Sequence, residues 1–421
     1  MSSSDSPQPE PAQLRRVLGT PSAVLLGLGS IIGTGIFVSI ATATAVAGTG
    51  VLVAVALAAV VAACNGLSSA QLAAAHPVSG GAYEYGYKYA SPTLGFTAGS
   101  MFVAAKSASA ATAALGCASY ALALAHASSR PAQIGLAVGI VVVLTLLVVG
   151  GMSRSARVNA VIIAITLAGL VTFVIAGLPH VSFAHLSLEA TGPRPIAHAT
   201  ALFFVAYTGY GRIATLGEEV HEPRKTIPRA IVIALVVTLV LYIAVTGTAL
   251  GVAGPAGLAG TAPLETISGQ YMSSIVRYIV AVAAITAMLG VILNLLLGIS
   301  RVVLAMARRG DMPRALAAVH AHSPRRAVLM TGVAIGALAL IGSVKTTWSF
   351  SAFFVLVYYA IANLCALRQP PEERRFPRAV PVFGLASCAF LAWWVEPRIW
   401  LFGLGLIVVA LVTRKLFRRA D

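Results

Sequence analysis

Charge is what this sequence lacks. Of its 421 residues only 10% are Asp, Glu, Lys or Arg, and just 13 are acidic. Soluble domains carry about 25% charged residues, so a water-soluble globular class is excluded. Cysteine is scarce too. Cys64, Cys117, Cys365 and Cys388 stand singly inside apolar runs, without disulfide or metal spacing, and read as small packing residues. The eight histidines (His76, His126, His180, His185, His198, His221, His320 and His322) fall in loops or at the ends of apolar runs. His320 and His322, two residues apart, do not share a helix face. No P-loop, nucleophile elbow or zincin sequence occurs, so no enzyme class, cofactor or metal is implied. The first twenty residues are polar and rich in Pro and Ser, with no apolar signal core. Residues 1–18 read as a disordered tail.

What is there is hydrophobic: 58% of the chain. That composition marks an all-α integral membrane protein. A span needs about 20 apolar residues. Twelve candidates occur, at about 21–46, 50–75, 92–126, 131–150, 157–178, 196–216, 228–253, 275–304, 326–344, 347–367, 379–395 and 398–416. The net charge of +16 would suggest nucleic acid in a soluble protein. Here the basic residues lie between apolar runs. With the N-terminus inside, 21 of the 29 Lys and Arg face inward and 5 outward. The positive-inside rule then puts both termini in the cytoplasm and the protein in a plasma or inner membrane, with lipids as its neighbours and no nucleic acid partner.

The first run contains GLGSIIGTGIFV over residues 27–38, with Gly27, Gly29, Gly33 and Gly35. Each glycine costs a helix interior about 1 kcal/mol, and an unwound turn in a bilayer leaves polar groups without water. Such a break persists where a bound solute satisfies it: free amides attract an anion, free carbonyls a cation. Close helix packing through small residues is the other reading. Five spans later residues 204–211 read FVAYTGYG, interrupted by Thr208, Gly209 and Gly211. Two interrupted spans in corresponding positions point to an inverted repeat with a site at its interface. Residues 19–178 would form the first repeat, 196–367 the second, and 379–417 two additional spans.

Four motifs carry a family resemblance. GSIIGTGIF (29–37), PVSGGAYEYGYKYASPTLGFTAG (77–99), EEVHEPRKTIPRAI (218–231) and SRVVLAMARRGDMP (300–313) occur in order. Together they resemble the amino acid–polyamine–organocation superfamily, over about residues 18–415. The resemblance implies the leucine-transporter fold, with five-plus-five inverted repeats, broken helices one and six, alternating access and amino acid cargo. It also implies that the substrate carboxylate meets the amides around Gly33, Thr34 and Gly35, with the Thr34 hydroxyl as a further donor. The α-ammonium would meet the carbonyls of Ile31, Val205, Ala206 and Thr208. A hydroxyl bonded back to its own helix is the other reading of Thr34.

Two departures stand out. Many relatives carry a bulky aromatic gate where this chain has Val205, which leaves Phe204, Tyr207 or Tyr210 to take the gating role. Sodium-independent relatives carry a lysine in span five; counting from Asn159, that place holds Thr166. Lys106, about fourteen residues into span three, is the candidate replacement. It would sit near mid-membrane, where a charge usually faces a cavity. Its ammonium would fill the place of a coupling cation between the first and eighth spans, or carry a proton. A snorkelling lysine is the alternative. Thr166 cuts the other way, since a hydroxyl there could help ligate sodium.

All thirteen acids fall in tails, loops or span ends. A carboxylate proton relay and a deep partner for a cationic side chain are both disfavoured, so neutral amino acids are expected. Arg212 and Glu219, seven apart, share a helix face; with Glu218, Arg224 and Lys225 they form either an inner gate network or a hydrated loop. Tyr83, Tyr85, Tyr358 and Tyr359 fit gating, interfacial anchoring or packing. The expected function is secondary transport of α-amino acids, with a proton as coupling ion ahead of sodium. A polyamine or cationic amino acid carrier is the alternative within the family. A channel or substrate-sensing receptor is the alternative of another class.

Overall fold

The computed structural model describes residues 19–420 apart from 79, 128, 152–155, 188–190, 215–219 and 320–323. Among the described residues there is no strand. The elements are helices α1 (Thr20–Ile31), α2 (Ile40–Ala47), α3 (Val51–Ala75), α4 (Ala82–Tyr89), α5 (Pro92–Leu124), α6 (Arg130–Val149), α7 (Ala156–Gly177), α8 (Pro193–Tyr207) and α9 (Gly211–Ala214). They continue as α10 (Pro223–Gly257), α11 (Pro263–Tyr271), α12 (Ser274–Arg308), α13 (Arg325–Ala339), α14 (Val344–Arg368), α15 (Ala379–Trp394) and α16 (Pro397–Ala420).

Eight helical stretches among the described residues are long and apolar enough to cross a membrane. The sequence pattern calls for twelve. The difference has three sources. The first stretch, Thr20–Ala75, is 56 residues long, about 84 Å at 1.5 Å per residue against a hydrocarbon core of about 30 Å. It turns back at Gly48, whose φ of 53° suits a residue without a side chain. Helices α8 and α13 have 15 residues each and α15 has 16, short of a full span. Finally, α8 does not run on as an α-helix but tightens into a 3₁₀ turn at Thr208–Tyr210.

Helix α5 forms the centre of the bundle. Its face reads Ala, Gly, Ser and Thr, and small side chains let neighbouring backbones approach. It packs against α12 and α14, and 78% of its apolar window is buried, against 22% for α6 and 17% for α16. Hydroxyl pairs stitch α5 to α14: Ser109 to Ser351 at 2.6 Å and Thr112 to Thr347 at 2.7 Å. Outward faces carry exposed Leu146, Val161, Ile175, Val240, Val333 and Val408, a surface suited to lipid.

One end of the bundle holds a dense polar knot. Asp311 is 1% exposed. It accepts hydrogen bonds from Tyr83 at 2.9 Å, from Tyr87, and from Arg414 Nε at 2.8 Å. Arg309 lies 4.2 Å over the Tyr87 ring and pairs with Glu84. Burial pushes the Glu84 carboxyl above its ordinary range, and the Arg309 guanidinium opposes that shift. The knot ties the short polar helix α4 to the ends of α12 and α16. Removing one partner of a buried pair costs about 3–5 kcal/mol, because a charge is left orphaned. Arg414→Leu should therefore lower the melting temperature of detergent-purified protein by several degrees. Adding Asp311→Asn should recover most of that loss in the same thermal scan; no recovery would show that the pair is not what the knot depends on.

Candidate functional site

The first apolar run breaks where its glycines cluster. Helix α1 ends at Ile31, and Ile32 is extended at φ −80°, ψ 100°. A π-turn then spans Gly35–Ser39 before α2 begins. The first hydrogen bond of this second half runs from Phe37 N–H to the Gly33 carbonyl, at 3.3 Å. The N–H groups of Thr34, Gly35 and Ile36 precede it, where a helix has no internal acceptor. The second interruption is milder. Tyr207 stays near helical values and the chain tightens into the 3₁₀ turn, so among the described residues the first break is the more open of the two.

The two interruptions touch. A Cβ on Gly209 would lie 2.3 Å from the Ser30 carbonyl oxygen, and one on Gly35 would lie 2.6 Å from the Ala206 Cβ. Only glycine permits these backbone approaches. Tyr242, from α10, then bridges the pair. Its hydroxyl lies 3.0 Å from the Ile31 carbonyl oxygen and 3.2 Å from that of Ala206, and its one hydrogen is shared between them. Tyr359 donates to the Thr208 carbonyl at 3.3 Å.

A cavity of about 140 Å³ opens beside this junction. Ile31, Thr34, Gly35, Val205, Ala206, Thr208 and Lys106 all line it. The ammonium of half-buried Lys106, on α5, donates to the Thr208 hydroxyl at 3.0 Å, and that hydroxyl donates to the Val205 carbonyl at 2.7 Å. The ammonium's partner is thus in the turn after α8, while residues of the first run (Ile31, Thr34) and of α12 (Val291, Asn294) line the same cavity. The Thr34 hydroxyl is buried without a hydrogen-bond partner. Arg212 and Arg301 line the cavity toward the end marked by Gly80, and no acid is among its described lining residues.

Other expected site residues lie elsewhere. Gly33 packs against Val291. Phe204, Tyr207 and Tyr210 are fully buried and outside the lining: Phe204 and Tyr210 pack on Tyr359, and Tyr207 donates to the Val55 carbonyl. The aromatic rings at the cavity are Phe102, Trp348 and Tyr359 instead. Thr166 is buried on α7, donating back to the Ile162 carbonyl at 2.7 Å, away from the cavity. Glu218 and Glu219 lie outside the described residues. Lys225 meets only its near neighbour Glu222 at 3.4 Å, and the Arg224 carbonyl accepts from Arg375. Tyr83 joins the Asp311 knot, and Tyr358 accepts from the Ala82 N–H at 3.1 Å. Sequence reasoning missed Tyr242, Ser109 and Asn294. A mid-span asparagine was a readable signal for the last; nothing local marks a tyrosine that bridges two other helices.

A largely apolar cavity holding a few polar and cationic groups, walled by two interrupted apolar helices, is the construction of a membrane transporter. Comparison with known proteins agrees. A family model described as amino acid permease matches residues 18–413. An uncharacterized transporter of Mycobacterium tuberculosis is 42% identical, over 92% of this chain and 88% of its own length. The methylthioribose transporter of Bacillus subtilis is 28% identical over 97% of this chain and 96% of its own, and a branched-chain amino acid permease of the same organism 27% identical over 96% and 94%. The chain belongs to the amino acid permease family.

The glycine contact gives a direct test. Gly209→Ala forces the two interrupted helices apart, because the added methyl meets backbone rather than a movable side chain. Overpacking of this kind costs about 1–3 kcal/mol. The variant should melt several degrees lower in a thermal scan, and in reconstituted vesicles it should have lost most uptake. Wild-type melting and uptake would show that the contact is not tight.

Proposed function

We propose that this protein is a secondary active transporter of neutral α-amino acids working by alternating access. The observation that carries this reading is the meeting of the two interrupted helices at Gly209 and Gly35, beside a cavity lined by Ile31, Thr34, Gly35, Ala206 and Thr208. Amides at Thr34–Ile36 suit a carboxylate. The Ile31 and Ala206 carbonyls each keep one lone pair beyond the Tyr242 bond, which suits an α-ammonium. Ile31, Val205, Val291, Leu295 and Ile299 supply an apolar lining for an aliphatic side chain, and one relative is named a branched-chain amino acid permease.

The architecture we propose is twelve spans in the leucine-transporter arrangement: two inverted repeats at 19–178 and 196–367 and two further spans at 379–417. Both termini are cytoplasmic, in the plasma or inner membrane. The short α8 counts as a span because the 3₁₀ turn and α9 prolong it. The cavity mouth at Gly80, Arg212 and Arg301 then faces inward. Lys106 is the coupling group, as a resident cation or a proton carrier, and sodium is the less favoured ion.

Counterflow in proteoliposomes tests the reading. Labelled leucine should enter vesicles preloaded with unlabelled leucine several-fold faster than empty ones. Flux indifferent to the far side would mean a pore, and no flux for leucine or any other neutral amino acid would overturn the cargo assignment. Lys106→Ala should abolish the response of uptake to an imposed proton gradient; unchanged uptake and unchanged pH response would remove Lys106 from coupling.

A further inference from the structure

We infer that Lys106 is a specificity residue that contacts the cargo itself: its ammonium receives the substrate carboxylate, so the cavity accepts cargo bearing a carboxylate and rejects cargo whose only charge is positive. This rests on the amino acid reading above and adds which charged end a side chain reads.

Four observations carry it. The ammonium's hydrogen-bond partner is the neutral Thr208 hydroxyl, and no described acid forms an ion pair with it. Of its three N–H donors, one is spent there. A charge at that depth is expensive until paired, and the cavity is where a partner enters. Second, Thr34 is 4% exposed, lines the same cavity and holds a hydroxyl without a partner, in the opening turn of the second half-helix, where N–H groups have no acceptor within the helix. Hydroxyl, amides and ammonium are all donors to one anion. Third, the ammonium-binding side is already partly taken, since Tyr242 occupies a lone pair on both the Ile31 and Ala206 carbonyls. Fourth, the described lining holds no carboxylate, so a purely cationic ligand would face Lys106 with nothing to offset it. A carboxylate arriving at Lys106 also competes with Thr208 for the ammonium. That would loosen the Lys106–Thr208 bond from α5 to the turn after α8 and link cargo binding to movement there.

Three probes differing in one charged group separate the possibilities: leucine, leucinamide, which lacks the carboxylate, and 4-methyl-2-oxopentanoate, which lacks the ammonium. Each is added to the full-length protein in detergent and read as a melting shift. Leucine and the oxo acid should both raise the melting temperature, while leucinamide at equal concentration should not. Lys106→Met, which keeps the stem but not the charge, should weaken both carboxylates at least about tenfold and erase the discrimination. Lys106→Arg should keep it. Leucinamide matching leucine in the wild-type protein would overturn the inference and leave the transporter reading standing, as would discrimination that survives in Lys106→Met. Silence from all three probes would overturn the amino acid reading of the cavity and this inference with it. The wild-type comparison decides even where a variant fails to fold.

Discussion

A backbone polar group inside hydrocarbon must find a partner within the protein, and this constraint governs how the two interrupted helices are built. The first opens a true gap, and its freed carbonyl at Ile31 is claimed by the Tyr242 hydroxyl. The second stays wound as a 3₁₀ turn, which keeps most of its bonds internal, and Tyr242 and Tyr359 reach the carbonyls that remain. What is left over at the first break is the Thr34 hydroxyl. The site is the remainder of that accounting.

The shortage of acids shapes the rest. Asp311 is buried only because three donors surround its carboxylate, and Glu265 because Arg277 grips it. Both lie away from the cavity. Arg277 also donates to the Ala123 carbonyl at the end of α5 at 2.8 Å, so each paired acid fastens a helix end. Lys106, whose hydrogen-bond partner is a neutral hydroxyl, lines that cavity, and its charge favours an anionic end of a ligand over a cationic one. With 13 acids in the chain, where they are absent matters as much as where they pair.

Much of this was legible in the residues. Apolar runs announce membrane helices because hydrocarbon tolerates little else, and clustered glycines announce a break because they weaken a helix that water cannot rescue. Seven of the expected site residues, Lys106 and Thr34 among them, come together at one cavity for that reason. The gating tyrosines were not legible. Tyr207 and Tyr210 carry the right chemistry, but whether a ring faces the cavity or the core depends on a helix rotation that no local pattern records. Thr166 failed in the same way: counting from Asn159 finds the place in the helix, not the place in the bundle.

By itself, then, the chain determined the helical class, the break at the clustered glycines and its family motifs, because each follows from the local match between side chain and solvent. The tertiary structure decided which glycine meets which backbone, that Tyr242 serves both breaks at once, and that Lys106 reaches the Thr208 hydroxyl. Those contacts join residues from 36 to 211 positions apart, and only the packing of whole helices sets them.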